Sequence, residues 1–188
     1  MATAPRLAIY DDIAHLDEKV HAEIIGGEIV VTPSPTPSHQ DVAGSIFAEL
    51  RAPFRLGRGG PGGWWLIPDV DTWFGPHDIV RPDIGGWRRE NVPVFPRDRP
   101  IKARPDWICE ALSPGTAKYD HGAKRALYAR AGVPWYWLVD PLNRAIQVLR
   151  LEGPSYVVHQ AVGDSGLARL EPFDAVEIEL DSLFPPAE

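Results

Sequence analysis

The chain has a single cysteine, Cys109, so no intrachain disulfide can form, and a reducing cytoplasm is the expected compartment. No Cys/His cluster marks a zinc site. No apolar run approaches the roughly 20 residues that span a bilayer. Residues 1–10 carry no long apolar core followed by a small-residue cleavage site, so no secretory signal is expected. An excess of basic charge is also missing. Lys+Arg is 19 against Asp+Glu 26, a net charge of −7. Binding to nucleic acid by bulk electrostatics is thereby excluded, and any such role needs a local basic patch or metal ions that offset the acidic groups. No repeat with a period of about 20–50 residues is visible. The glycine-rich stretch 57–63 is not followed by Gly-Lys-Ser/Thr, so it is not a phosphate-cradling loop. Lysine itself is scarce, with four against fifteen arginines.

What remains describes an ordinary globular chain. Its 188 residues fit one domain, with 44% hydrophobic and 24% charged residues. Proline is abundant, 20 of 188, and much of it sits in stiff runs at 33–37, 93–105 and 185–186. Residues 11–19 read as a short acidic helix. Residues 23–31 read as two strands around a Gly26-Gly27 turn. Ser38 opens a helix from about His39 to Arg51, with Val42, Ile46 and Leu50 at four-residue spacing. Strands follow at 64–70, 71–74 and 79–85, then a long Pro/Arg-rich loop at 88–105. Residues 106–112 form a buried apolar strand. The next helix has Ser113 as its N-cap, Pro114 at its first position and Gly132 at its stop. Strands at 135–140, 145–151 and 155–160, with short ones near 167–170 and 175–180, complete the chain. Strands outnumber helices and are mixed with them. The expected fold class is α/β of a mixed α+β kind, an antiparallel-rich sheet covered by two helices.

Three carboxylates stand in apolar surroundings: Glu23, Asp83 and Glu110. A carboxylate in a buried strand is costly unless it is paired or bound to a cation. Three together fit a site of hard oxygen ligands for magnesium or manganese. Solvated strand ends or structural ion pairs are the alternative. Lys124 falls four residues after Asp120 and four before Tyr128, so the three share one helix face. That helix follows the Glu110 strand directly and can fold back over it, bringing Lys124 to the carboxylates. A surface Asp120–Lys124 pair is the plainer alternative.

The ordered series of motifs carries a resemblance. Arg81-Pro-Asp-Ile resembles the first signature of the PD-(D/E)XK nuclease superfamily. Three further segments are similar to the Uma-type restriction endonuclease family: residues 106–116 (DWICEALSPGT), residues 119–124 (YDHGAK) and residues 128–141 (YARAGVPWYWLVDP). The opening segments EIIGGE and PSPTPSH resemble it too, so the likeness spans roughly residues 10–180. It implies a restriction-endonuclease-like fold, a central mixed sheet flanked by helices. It implies Asp83 and Glu110 as metal-holding acids, Glu23 as an additional acid, and a Mg²⁺ or Mn²⁺ cofactor. The usual Glu-X-Lys lysine is missing, because Leu112 stands two residues after Glu110. The resemblance places that role on Lys124 instead. The implied activity is metal-dependent hydrolysis of DNA phosphodiesters without a protein nucleophile.

Other residues are open to two readings. His39 is a phosphate contact or proton shuttle, or an exposed helix-start histidine. Ser113 touches a metal-bound water or simply caps its helix. Asp120 positions Lys124 or pairs with it at the surface. Arg88, Arg89, Arg97, Arg99, Lys102 and Arg104 form the only local basic patch, either a solvated loop or a phosphate-contacting one. Duplex DNA is the expected partner, with a homodimer because duplex cleavage needs two cuts, and Trp137 is a candidate interface residue. A non-cutting binder of nucleic acid or protein on the same fold, and a metal-dependent hydrolase of a small phosphoester, are the alternatives.

Overall fold

The computed structural model describes residues 6–17 and 20–186. The strands form two main sheets. A four-stranded antiparallel sheet has the order β2-β1-β5-β4, from β1 (His21–Ile25), β2 (Glu28–Thr32), β4 (Thr72–Gly75) and β5 (Asp78–Val80). A six-stranded sheet has the order β10-β9-β8-β7-β6-β3, from β3 (Trp64–Pro68), β6 (Ile84–Arg88), β7 (Trp107–Ala111), β8 (Trp135–Asp140), β9 (Ala145–Glu152) and β10 (Ser155–Val162). In the larger sheet only β7 and β8 run parallel. A parallel pair needs a crossover, and here it is a helical rod. The rod comprises α2 (Ala117–Tyr119), a π-helical turn (Asp120–Lys124) and α3 (Arg125–Arg130). Two short strands, β11 (Leu167–Ala168) and β12 (Ile178–Glu179), pair near the C-terminus.

The sheet separates two apolar layers. Trp107, Cys109 and Ala111 face the layer under α1 (Pro37–Leu50), with Val42, Ile46, Leu50 and Phe173. Ile108, Tyr136 and Leu138 face the crossover, with Leu127 and Tyr128. The period-2 alternation of a strand therefore puts Glu110 on the crossover side. Gly85 and Gly86 permit the tryptophan packing: a Cβ on Gly85 would lie 2.5 Å from Trp87, and one on Gly86 2.9 Å from Trp107.

Several expectations change in detail. The sheet expected as one is two, and the strand expected at 79–85 is split between them by Arg81-Pro82-Asp83. Proline cannot donate to a ladder, so the chain leaves one sheet there and enters the other. The first long helix begins at Pro37, capped by Thr36, whose hydroxyl accepts from the His39 amide. Ser113 is not an N-cap: its hydroxyl pairs with that of Thr116, and its carbonyl accepts from Thr116 and Ala117 in a turn before α2. The N-terminal acidic helix is a single 3-10 turn, Tyr10–Asp12, and residues 18 and 19 of that expectation lie outside the described residues. Trp137 is fully buried, edge-on to Trp107, and donates to the Glu171 carbonyl, so it is unavailable to an interface. Among the described residues no helix is long and apolar enough to cross a membrane.

Candidate active site

Strand register brings the two principal acids together. Ile84 pairs with Cys109 in the antiparallel β6–β7 ladder, so Asp83 falls opposite Glu110. The Asp83 amide points at Glu110 Oε2 from 3.4 Å. Asp83 Oδ2 accepts from the Ala111 amide at 2.7 Å, which fixes the carboxylate. Like charges placed opposite each other repel, so the pair needs a compensating cation.

Lys124 supplies one. Its Nζ lies 2.9 Å from Glu23 Oε1, 3.1 Å from Glu110 Oε1 and 3.5 Å from Asp120 Oδ1. The π-helical turn that holds both Asp120 and Lys124 directs both side chains inward; such turns recur at functional sites. Glu23 reaches the cluster from the smaller sheet, and the Arg81 amide donates to its Oε1 at 2.7 Å. His39 enters from the first turn of α1, on the same helix face as Val42 and Ile46. Its Nε2 is 3.0 Å from Asp83 Oδ1, and its Nδ1 is buried without a hydrogen-bond partner.

The electrostatics follow from burial. Burial raises the Glu110 pKa well above the usual carboxylate range; Lys124 opposes this, while Asp120, Asp83 and Glu23 add to it. Burial acts to lower Lys124, but Glu110, Glu23 and Asp120 outweigh it and hold the ammonium firmly protonated. Burial raises Asp120 too, against Lys124 and a hydrogen bond from Thr116. Burial lowers His39, yet the hydrogen bond and charge of Asp83 leave it raised. Four carboxylates thus share one lysine ammonium and one histidine, an excess of negative charge that a divalent cation would relieve.

All seven residues singled out in the sequence (Glu23, His39, Asp83, Glu110, Ser113, Asp120 and Lys124) line one cleft of about 280 Å³. The plainer readings of a solvated Asp120–Lys124 pair and an exposed His39 do not hold, since all three are buried. Arg97, Arg99, Lys102 and Arg104 do not line the cleft, whose guanidinium is that of Arg81. Tyr128 completes the set: its hydroxyl donates to Glu110 Oε1 at 2.7 Å. Its four-residue spacing from Lys124 was the signal for it. Among the described residues, no group of three or more His, Cys, Asp or Glu is arranged to hold a metal ion. Lys124 stands between Glu23 and Glu110. Asp83 and Glu110, hard oxygen donors side by side, are the pair that fits magnesium, an ion commonly held by one or two carboxylates with waters.

Comparisons with known proteins bear on the fold and the family. A crystal structure described as "a putative nuclease belonging to DUF820" from Anabaena variabilis ATCC 29413 superposes with a TM-score of 0.70, at 19% identity, covering 94% of this chain and 97% of that one. The two share the fold, a mixed sheet flanked by helices. The family model Uma2, described as "Putative restriction endonuclease", matches residues 7–181, and the chain belongs to that family. The search of curated proteins gives no match.

Proposed function

We propose that the protein is a divalent-metal-dependent endonuclease that hydrolyses phosphodiester bonds in DNA. The observation that carries this is the placement of the Lys124 ammonium 2.9 and 3.1 Å from Glu23 and Glu110, in a cleft shared with Asp83. Family membership supports the reaction class. Asp83 and Glu110 would hold magnesium or manganese, which when bound supplies charge neutralisation at the phosphate and lowers the pKa of a water. The chain's own groups do the rest. Lys124, kept protonated by its three carboxylate neighbours, orients an attacking water and offsets charge that grows on the phosphoryl oxygens. Glu23 and Asp120 hold that ammonium in place. His39 braces Asp83 through Nε2. Ser113, at the rim, aligns water through its hydroxyl.

Plasmid nicking with magnesium or manganese tests this, together with manganese calorimetry. The native protein is expected to nick supercoiled DNA, and Asp83→Ala and Glu110→Ala are expected to lose both nicking and metal binding. Metal binding without cleavage of any DNA would leave a small phosphoester as the substrate. Neither metal binding nor cleavage would make the protein a non-cutting member of the fold.

A further inference from the structure

Within the basic loop at 88–105, Arg88 lies over Trp64, 4.5 Å from its ring centroid. Arg99 is spent on Asp71, at 3.1 Å. A different group forms instead. Arg51, Arg55 and Arg58 come from the π-helical turn after α1 and the loop beyond it, and Arg89 directly follows β6. Arg89 lies 3.9 Å over the Trp65 ring and donates to the Arg55 carbonyl. Arg55 lies over Trp65 at 5.9 Å and over Phe95 at 5.4 Å, and it donates to the Leu66 carbonyl. Trp65 and Phe95 are themselves edge to face, 5.4 Å apart. The aromatic pair thus holds two guanidiniums in fixed planes, at little entropy cost on binding.

None of these four arginines forms an ion pair with a carboxylate among the described residues. In a chain of net charge −7 that is an unusual concentration of uncompensated positive charge. Burial first, then the neighbouring Arg51 and Arg89, depress the pKa of Arg55. Arg51 and Arg58 are exposed, so the patch faces solvent. It also neighbours the cleft along β3. Asp69, just past the end of β3, lines the cleft, and Trp65 lies four residues back along the chain. At roughly 3.3 Å per residue the two are about 13 Å apart, close to the length of four base pairs at about 3.4 Å each.

We propose that Arg55 and Arg89, held by Trp65 and Phe95, form with the exposed Arg51 and Arg58 a second contact surface that grips the phosphate backbone of duplex DNA beside the cleft. The assignment rests on the nucleic-acid reading above, and its contribution is to affinity, independent of base sequence. It also explains how an acidic protein approaches a polyanion without relying on metal alone.

The test is anisotropy with a labelled 30-base-pair duplex, in chelator so that no cleavage occurs, across a salt series. Arg51→Gln/Arg58→Gln removes two exposed charges that support no packing. Lys102→Gln/Arg104→Gln removes the same charge elsewhere. The patch variant is expected to bind about tenfold more weakly near 100 mM salt and to lose about 2 from the slope of log K against log salt. The control is expected to change less than about twofold. Equal loss in both variants, no loss in the patch variant, or no duplex binding by the native protein would each overturn the surface. Binding with the expected pattern but no nicking of plasmid in manganese would keep the surface and sink the nuclease reading alone.

Discussion

Tyr128 and Lys124 converge on the same atom, Glu110 Oε1, at 2.7 and 3.1 Å. One oxygen of the carboxylate is thereby saturated with donors. The other, Oε2, faces Asp83 across the ladder and meets only the long contact from the Asp83 amide. The carboxylate is held with its less committed oxygen toward its fellow acid, which is the orientation a cation between the two would require.

Removing the tyrosine hydroxyl should therefore disturb function more than folding. Tyr128→Phe leaves the ring packed against Phe74 and Tyr136. It is expected to cost about 1 kcal/mol in urea unfolding, the worth of one hydrogen bond. Nicking activity and manganese affinity are expected to fall about tenfold, the usual effect of losing a group that orients a metal-holding carboxylate. Unchanged activity with lowered stability would reduce Tyr128 to a packing role.

The members of the charge cluster should respond to neutralisation in opposite ways. Lys124 is the one ammonium among Glu23, Glu110 and Asp120. Lys124→Met strands buried carboxylates and is expected to destabilise by about 3 kcal/mol or more in metal-free buffer. Glu110→Gln removes a charge whose pKa burial and Asp120, Asp83 and Glu23 already push upward. It is expected to stay within about 1 kcal/mol of the native protein, or to exceed it, while abolishing cleavage. Chemical unfolding of the two variants side by side decides this, and a Glu110→Gln loss as large as that of Lys124→Met would refute it.

A separate network sets acid stability. Asp71 accepts from Arg81 Nε at 2.8 Å, Arg99 Nε at 3.1 Å and the Tyr10 hydroxyl at 3.0 Å, joining the N-terminal turn to the segment that carries Asp83. Burial works to raise its pKa, but these partners outweigh it and hold the carboxyl below its ordinary value of 3.8. A depressed folded pKa gives stability that is fully present above the unfolded value and fades as pH falls through the folded one. The native protein should exceed Asp71→Asn by a constant margin of about 2 kcal/mol above about pH 5. That margin should close progressively below pH 3.8. Unfolding curves at stepped pH check the sign; a margin that widens on acidification would be wrong for this network.

The site was more legible in the sequence than the fold was. Glu23, Asp83 and Glu110 stand out because a carboxylate amid apolar neighbours needs a reason, and Lys124 because i, i+4 spacing places it with Asp120 and Tyr128. The architecture depends on pairings between distant segments, which local patterns do not encode. Nothing within 79–85 says that Val80 belongs to one sheet and Ile84 to another; only the proline between them hints at a break. Ser113-Pro114 has the composition of a helix start, yet Ser113 is used in a turn and the helix begins at Ala117. In the basic loop, Arg88 and Arg89 stack on Trp64 and Trp65 and Arg99 pairs with Asp71, commitments that depend on what lies opposite in space. Trp137 reads as an interface candidate only until the sheet buries it against Trp107.

The crossover between β7 and β8 has a practical meaning. Within one continuous stretch, 110–128, the chain carries two buried acids, their shared counter-cation and a hydroxyl donor. Glu23, His39 and Asp83 arrive from separate segments, each anchored by its own strand or helix. Damage to any of those three leaves Lys124 paired with Glu110 and Asp120. Inert versions that keep their shape should therefore be easy to make by altering the outer contributors. Under the proposed function, such versions would hold a bound duplex intact.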